Sequence, residues 1–148
     1  MSKWSEEAAR RSRERREAKY IAERKAQQDK ETLASKGRAL WISLKSTMVR
    51  KCEEFNAEPG NSGVLWVVAN PTDVTLHCGQ QPGVIYGTFA DNAVVFTGKN
   101  GVAFAASLYI RFTKDGTDIC LADDSGHPVS FEDIANQMIE GLLEANGW

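Results

Sequence analysis

The feature that most constrains this chain is a change of character near residue 60. Residues 1–58 carry fifteen Lys/Arg against ten Asp/Glu, with one glycine and no proline. Residues 59–148 carry three Lys/Arg against ten Asp/Glu, with eleven glycines and all four prolines. The first part, at net charge +5, is made of helix formers. The second, at −7, is acidic and punctuated by turn residues. The total of −2 conceals this polarity. The contrast prescribes a helical start followed by a strand-rich remainder. No catalytic or ligand motif accompanies it.

At 148 residues the chain is about one domain long. The division expected is a charged helical arm over 1–32 and a single α+β domain over 33–148. No apolar run approaches the ~18 residues that span a bilayer, so no membrane is expected. The start lacks the apolar stretch and cleavage pattern of a secretory signal. Glu6, Glu7, Glu14, Glu17 and Glu23 disfavour a transit peptide, which is poor in acids. Cys52, Cys78 and Cys120 are odd in number and widely spaced, unlike a disulfide framework. A reducing, cytoplasmic setting is the expectation.

The arm spaces its charges as a solvated helix does. Glu6–Arg10 and Glu7–Arg11 stand at i,i+4 with the acid first; Arg10–Glu14, Arg13–Glu17 and Lys19–Glu23 repeat the spacing in the weaker order. The seam Trp4, Ala8, Arg11, Arg15, Ala18, Ala22 has no Leu or Ile, which disfavours a self-standing coiled coil. Residues 10–25 form a basic cluster: Arg10, Arg11, Arg13, Arg15, Arg16, Lys19, Arg24 and Lys25 against three glutamates. Phosphate binding is one reading. At about 100° per residue, however, the bases point to every side and glutamates interleave, so no single basic stripe is expected. A basic arm can equally dock on an acidic protein, the acidic half of a second copy included.

Leu33, Gly37, Leu40, Trp41, Leu44, Met48, Cys52 and Phe55 recur at spacings of three and four, predicting an amphipathic helix. Pro59-Gly60 should end it near Ala57. Arm and helix form either one rod or two pieces that break near residues 35–37. Strands are predicted over 64–69, 74–78, 84–89, 93–97, 102–112 and 117–122, each bounded by Gly, Pro, Asn or Asp. Short connections favour antiparallel hairpins, and Asn100-Gly101 and Asp115-Gly116 are hairpin signals. In 102–112, Val102, Phe104, Ala106, Leu108, Ile110 and Phe112 alternate with smaller or amphipathic residues, so one face is buried. Ser130 with Asp133 reads as the start of a last amphipathic helix, and Gly147 as its stop. The predicted fold class is α+β: a long N-terminal helix, a six-stranded antiparallel meander and a C-terminal helix, with the helices packed on one sheet face. This order is similar to that of helix-grip ligand binders and small secretion-type chaperones. No motif carries either likeness, and the six uninterrupted strands depart from the chaperone order.

Chemistry-bearing residues are sparse. His77 and Cys78 are neighbours on a strand and point to opposite faces, so they do not share a metal ion; no CxxC or HxxxH spacing exists. Buried thiols at Cys52 and Cys78 and an outward His77 are expected instead. The loop from Asp123 through Asp124, Ser125 and Gly126 to His127 and Pro128 is the most site-like stretch, and Asp123, Asp124 and His127 are its candidate ligand residues. It lacks a nucleophile elbow and the calcium-loop spacing, so a solvated loop feeding a helix cap is the simpler reading. No phosphate-cradling glycine motif occurs. Trp66, Tyr86, Phe89 and Phe96 read as an aromatic binding surface or as packing. No cofactor and no metal is expected. The leading functional expectation is a non-enzymatic protein-interaction module of adaptor, chaperone or inhibitor type, with a protein partner or self-association through the arm. Nucleic-acid binding through the arm and small-molecule binding between sheet and helices are the alternatives.

Overall fold

A computed structural model describes residues 2–148. Helix α1 spans Lys3–Asn56, 54 residues without interruption, about 80 Å at 1.5 Å per residue. Ser2 caps it, its Oγ accepting the Ser5 N–H at 3.2 Å. The helix stops one residue before Ala57, with Pro59-Gly60 following, as the turn chemistry requires. Gly37 does not break it. Its missing side chain lets α1 lie against the Ile110 side chain, at 3.2 Å from where a Cβ would stand.

Six strands follow: β1 (Leu65–Ala69), β2 (Asp73–Cys78), β3 (Val84–Ala90), β4 (Ala93–Lys99), β5 (Ala105–Phe112) and β6 (Ile119–Ala122). They form one antiparallel sheet in the order β1-β2-β3-β4-β5-β6. Helix α2, Phe131–Ala145, closes the chain, with Ser130 Oγ accepting the Asp133 N–H at its start. The architecture is the predicted α+β class. α1 touches β1 at one edge of the sheet and β5 and β6 at the other, while α2 lies over β2 and β3. The sheet therefore curls around α1.

The concave face and both helices share one core. Trp41, Leu44, Met48 and Cys52 of α1 meet Val74, Leu76, Ile85, Val94 and Phe96 of the sheet and Ile134, Met138 and Leu142 of α2, all buried. Trp41 is its anchor at the turn end of the sheet. Its indole N–H donates to the Pro71 carbonyl at 2.9 Å and its ring stacks on Phe89 with centroids 5.7 Å apart. Arg50 joins the helices, bonding Glu54 at 2.9 Å on its own helix and Glu132 at 2.7 Å on α2. That contact holds the Glu132 carboxyl below its ordinary range.

Turn chemistry sets the hairpins. Asp91 and Asn92 both have positive φ, 51° and 58°, and close the two-residue β3–β4 turn. At β4–β5 the sequence expectation needs correction. Asn100 and Gly101 do have positive φ, but β5 begins at Ala105 rather than 102. Residues 102–104 fold back over Gly98 instead, whose N–H donates to the Phe104 carbonyl at 2.7 Å. β6 also begins later than expected, at Ile119. Asp115 Oδ1 accepts from Thr113 Oγ1 at 2.6 Å and from Thr117 Oγ1 at 2.9 Å, which keeps Thr117 in the turn. Those bonds also lower the Asp115 pKa.

Candidate functional site

The arm is a helix in solvent. No residue from 2 to 36 is buried; Gly37 is the first that is. Lys3 to Thr32 thus extend about 45 Å. A helix polar on all sides persists through propensity and side-chain pairs one turn apart. Here those pairs are Arg10–Glu14 at 3.4 Å, Arg11–Glu7 at 3.6 Å, Lys19–Glu23 at 4.0 Å and Lys25–Asp29 at 3.6 Å. Arg10 bonds Glu14 rather than Glu6, and the Arg13–Glu17 spacing yields no ion pair.

Four bases of the cluster are left without a carboxylate partner among the described residues: Arg13, Arg15, Arg16 and Arg24. Arg16 Nε instead meets the Ser12 carbonyl at 3.4 Å. At about 100° per residue, Arg13, Arg16 and Arg24 fall within about 80° of one another, together with Tyr20, and Arg15 lies opposite. Arg13, Arg16, Glu17 and Tyr20 line one shallow depression. The eight bases together point to every side, as the sequence suggests; that three of the four unpaired ones gather on one side, with Arg15 opposite, only the pairing pattern reveals.

The loop candidates are held by their own hydrogen bonds. Asp123 Oδ1 accepts the N–H of Ser125 and of His127, each at 2.9 Å, and stands 3.7 Å from His127 Nδ1. Asp123 and His127 are therefore brought together, while Asp124 is exposed and stands apart from this network. The carboxylate of Asp123 closes the turn that leads to Ser130. Among the described residues, no group of three His, Cys, Asp or Glu is gathered closely enough to hold a metal ion. Cys52 and Cys78 are buried, and burial pushes the Cys52 thiol up to about 11, far from a reactive thiolate at neutral pH. No helix among the described residues is long and apolar enough to cross a membrane.

Trp66, Tyr86, Phe89 and Phe96 divide by strand alternation. Phe96 is core, lying across Gly87 of the neighbouring strand, and Phe89 stacks on Trp41. Trp66 and Tyr86 sit on the convex face. Trp66 covers the imidazole of His77 on β2, with centroids 3.7 Å apart and ring planes within 4°. Burial under the indole lowers the His77 pKa from its ordinary 6.5. The fold thus favours neutral His77, so this group's contribution to stability is complete above about 6.5 and declines as pH falls toward the folded value. In an NMR titration His77 should show a midpoint below 6.5, and Trp66→Ala should raise it. A native midpoint at or above 6.5 would contradict the assignment.

Searched against known proteins, the chain matches no family model, no curated protein and no solved structure.

Proposed function

We propose that the chain is a non-enzymatic protein-interaction module, of adaptor, chaperone or inhibitor type, whose arm binds acidic protein surfaces. The observation that carries this reading is the side of α1 where Arg13, Arg16 and Arg24 lack carboxylate partners among the described residues and flank Tyr20. Arginine and tyrosine are the residues that concentrate binding energy at protein interfaces. Glu17 shares the depression with Arg13 and Arg16. A protein surface can answer both signs of charge, whereas a uniform phosphate backbone repels the glutamate.

The test uses the full chain. A labelled Glu-rich helical peptide with interspersed Lys, and a labelled DNA duplex, are titrated with the native chain and with the Arg13→Glu, Arg16→Glu, Arg24→Glu variant. Three reversals at about 0.5 kcal/mol or more each predict at least a roughly tenfold loss of peptide affinity. Tight duplex binding with a steep salt slope would replace the protein reading with a nucleic-acid one. Binding to neither probe would overturn both.

A further inference from the structure

We infer that β1 is a self-pairing edge: two copies of the chain join antiparallel along β1, about a two-fold axis at Val68. The product is one continuous sheet of twelve strands, six from each copy. This inference concerns the sheet edge and does not depend on what the arm binds.

β1 pairs only with β2. Gly79 N–H donates to the Val64 carbonyl at 2.6 Å, and Asn70 N–H to the Asp73 carbonyl at 2.8 Å. Hydrogen-bonded positions alternate along an antiparallel ladder. Hence Val64, Trp66, Val68 and Asn70 turn their backbone groups toward β2, while Leu65, Val67 and Ala69 turn theirs outward. The outward groups of Leu65 are occupied: its N–H donates to Asn56 Oδ1 at 2.9 Å and its carbonyl accepts from Asn56 Nδ2 at 2.7 Å. Those of Val67 and Ala69 have no partner among the described residues.

The opposite edge is treated differently. On β6, Val129 N–H donates to the Leu121 carbonyl at 2.8 Å and Pro128 bridges to Ala122, so the returning chain covers it. β1 has no such cover, and it reads Leu-Trp-Val-Val-Ala, with no charge, Pro or Gly. Natural sheets avoid leaving an edge of that kind open. Alongside it, α1 and Ala69 form a furrow whose apolar lining includes Ile42 and Val49, 53% and 37% exposed.

A second copy of the same chain fits this edge in register. Lys45 Nζ bonds the Asn70 carbonyl at 2.7 Å and Asn56 bonds Leu65, so α1 runs antiparallel to β1. Helix rise and strand rise, about 1.5 and 3.3 Å per residue, place Val49 level with Val68. An axis at Val68 then makes Val67 and Ala69 of each copy exchange hydrogen bonds with Ala69 and Val67 of the other. It sets Val68 against Val68, both 43% exposed in the single chain. Lys45 and Glu53 stand four residues to either side of Val49, so each lysine meets the other copy's glutamate. The edge is therefore complementary to itself in backbone, in apolar contact and in charge.

Val68 faces its own image as a non-hydrogen-bonded pair, with Cα atoms about 4.5 Å apart, within disulfide reach. The test combines light scattering on the full chain with mild oxidation of Val68→Cys in a Cys120→Ser background. The native chain is expected to be dimeric and Val68→Cys to cross-link almost completely. Trp66→Cys, offset from its image by about 13 Å, should not. Ala69→Pro, which removes one outward N–H at an exposed position, should give a monomer with an unchanged far-UV spectrum. Glu53→Lys should weaken the dimer about tenfold, and adding Lys45→Glu should restore it; this pair decides the matter if the cysteine variant does not fold. A native monomer at the highest soluble concentration overturns the inference. So does a dimer in which Val68→Cys stays unlinked or Trp66→Cys links equally well.

Discussion

Replacing Trp41 by alanine is expected to cost about 3–5 kcal/mol of stability, the range for removing a fully buried large aromatic. Four contributions end together. The side chain is 0% exposed, its N–H holds the Pro71 carbonyl, and its ring stacks on Phe89. Lys45 also rests 5.0 Å from its centroid. Pro71 belongs to the β1–β2 turn and Phe89 to β3, so the indole ties two strands to the helix they curl around. At about 2–4 °C per kcal/mol for a chain near this size, the melting temperature should fall by roughly 6–20 °C. Circular dichroism during urea and thermal unfolding measures both. Trp41→Phe keeps most of the ring and loses the hydrogen bond, so it should cost about 1 kcal/mol beyond the lost volume. If phenylalanine were as damaging as alanine, the hydrogen bond rather than packing would hold this end of the sheet.

Gly98→Ala should destabilise by about 3 kcal/mol or more, although it adds a single methyl. A Cβ at residue 98 would overlap the backbone of the returning chain at Val102 and Phe104. Backbone held by its own hydrogen bond cannot step aside as a side-chain tip can, so the β4–β5 connection must move. Gly37→Ala supplies the contrast. There the new methyl meets side chains alone, Ile110 carbons at 3.2 and 3.3 Å and Asn92 Oδ1 at 3.6 Å, and the helix gains about 1 kcal/mol from losing a glycine. Its net effect should stay within about 1 kcal/mol of zero. Equal losses at the two glycines, by the same unfolding measurements, would rule out the steric account.

The same two glycines mark what sequence can and cannot convey. Helix ends were legible because Pro59-Gly60 and Ser130 act locally, and the strands were legible from their period. The late start of β5 was not. Val102 and Phe104 continue the alternation of 105–112, yet they are apolar for another reason. Val102 is buried where the loop crosses Gly98, and Phe104 rests against Gly141 of α2. A glycine inside a strand pattern is the one local sign of such close backbone approach. In the arm, composition showed the basic cluster. Which arginines lack a carboxylate depends on which of two competing spacings each one uses, as Arg10 does with Glu14. The open edge at β1 was illegible for a further reason. A Leu-Trp-Val-Val-Ala run reads the same in mid-sheet as at a border, and only the assembled strand order leaves it exposed.

The unbroken run of α1 from core to solvent has a consequence for how the arm holds its shape. Starting a helix is costly, because several residues must be fixed before the first hydrogen bond forms, while lengthening one is nearly free for good helix formers. Residues 37–56 are fixed by burial against the sheet, so the starting cost is met inside the domain. The arm only has to propagate. Its order is borrowed from the core and thins toward Lys3 as fraying accumulates. A partner that grips the outer turns therefore stabilises a helix already seeded, whereas the same residues cut from the domain would have to nucleate anew.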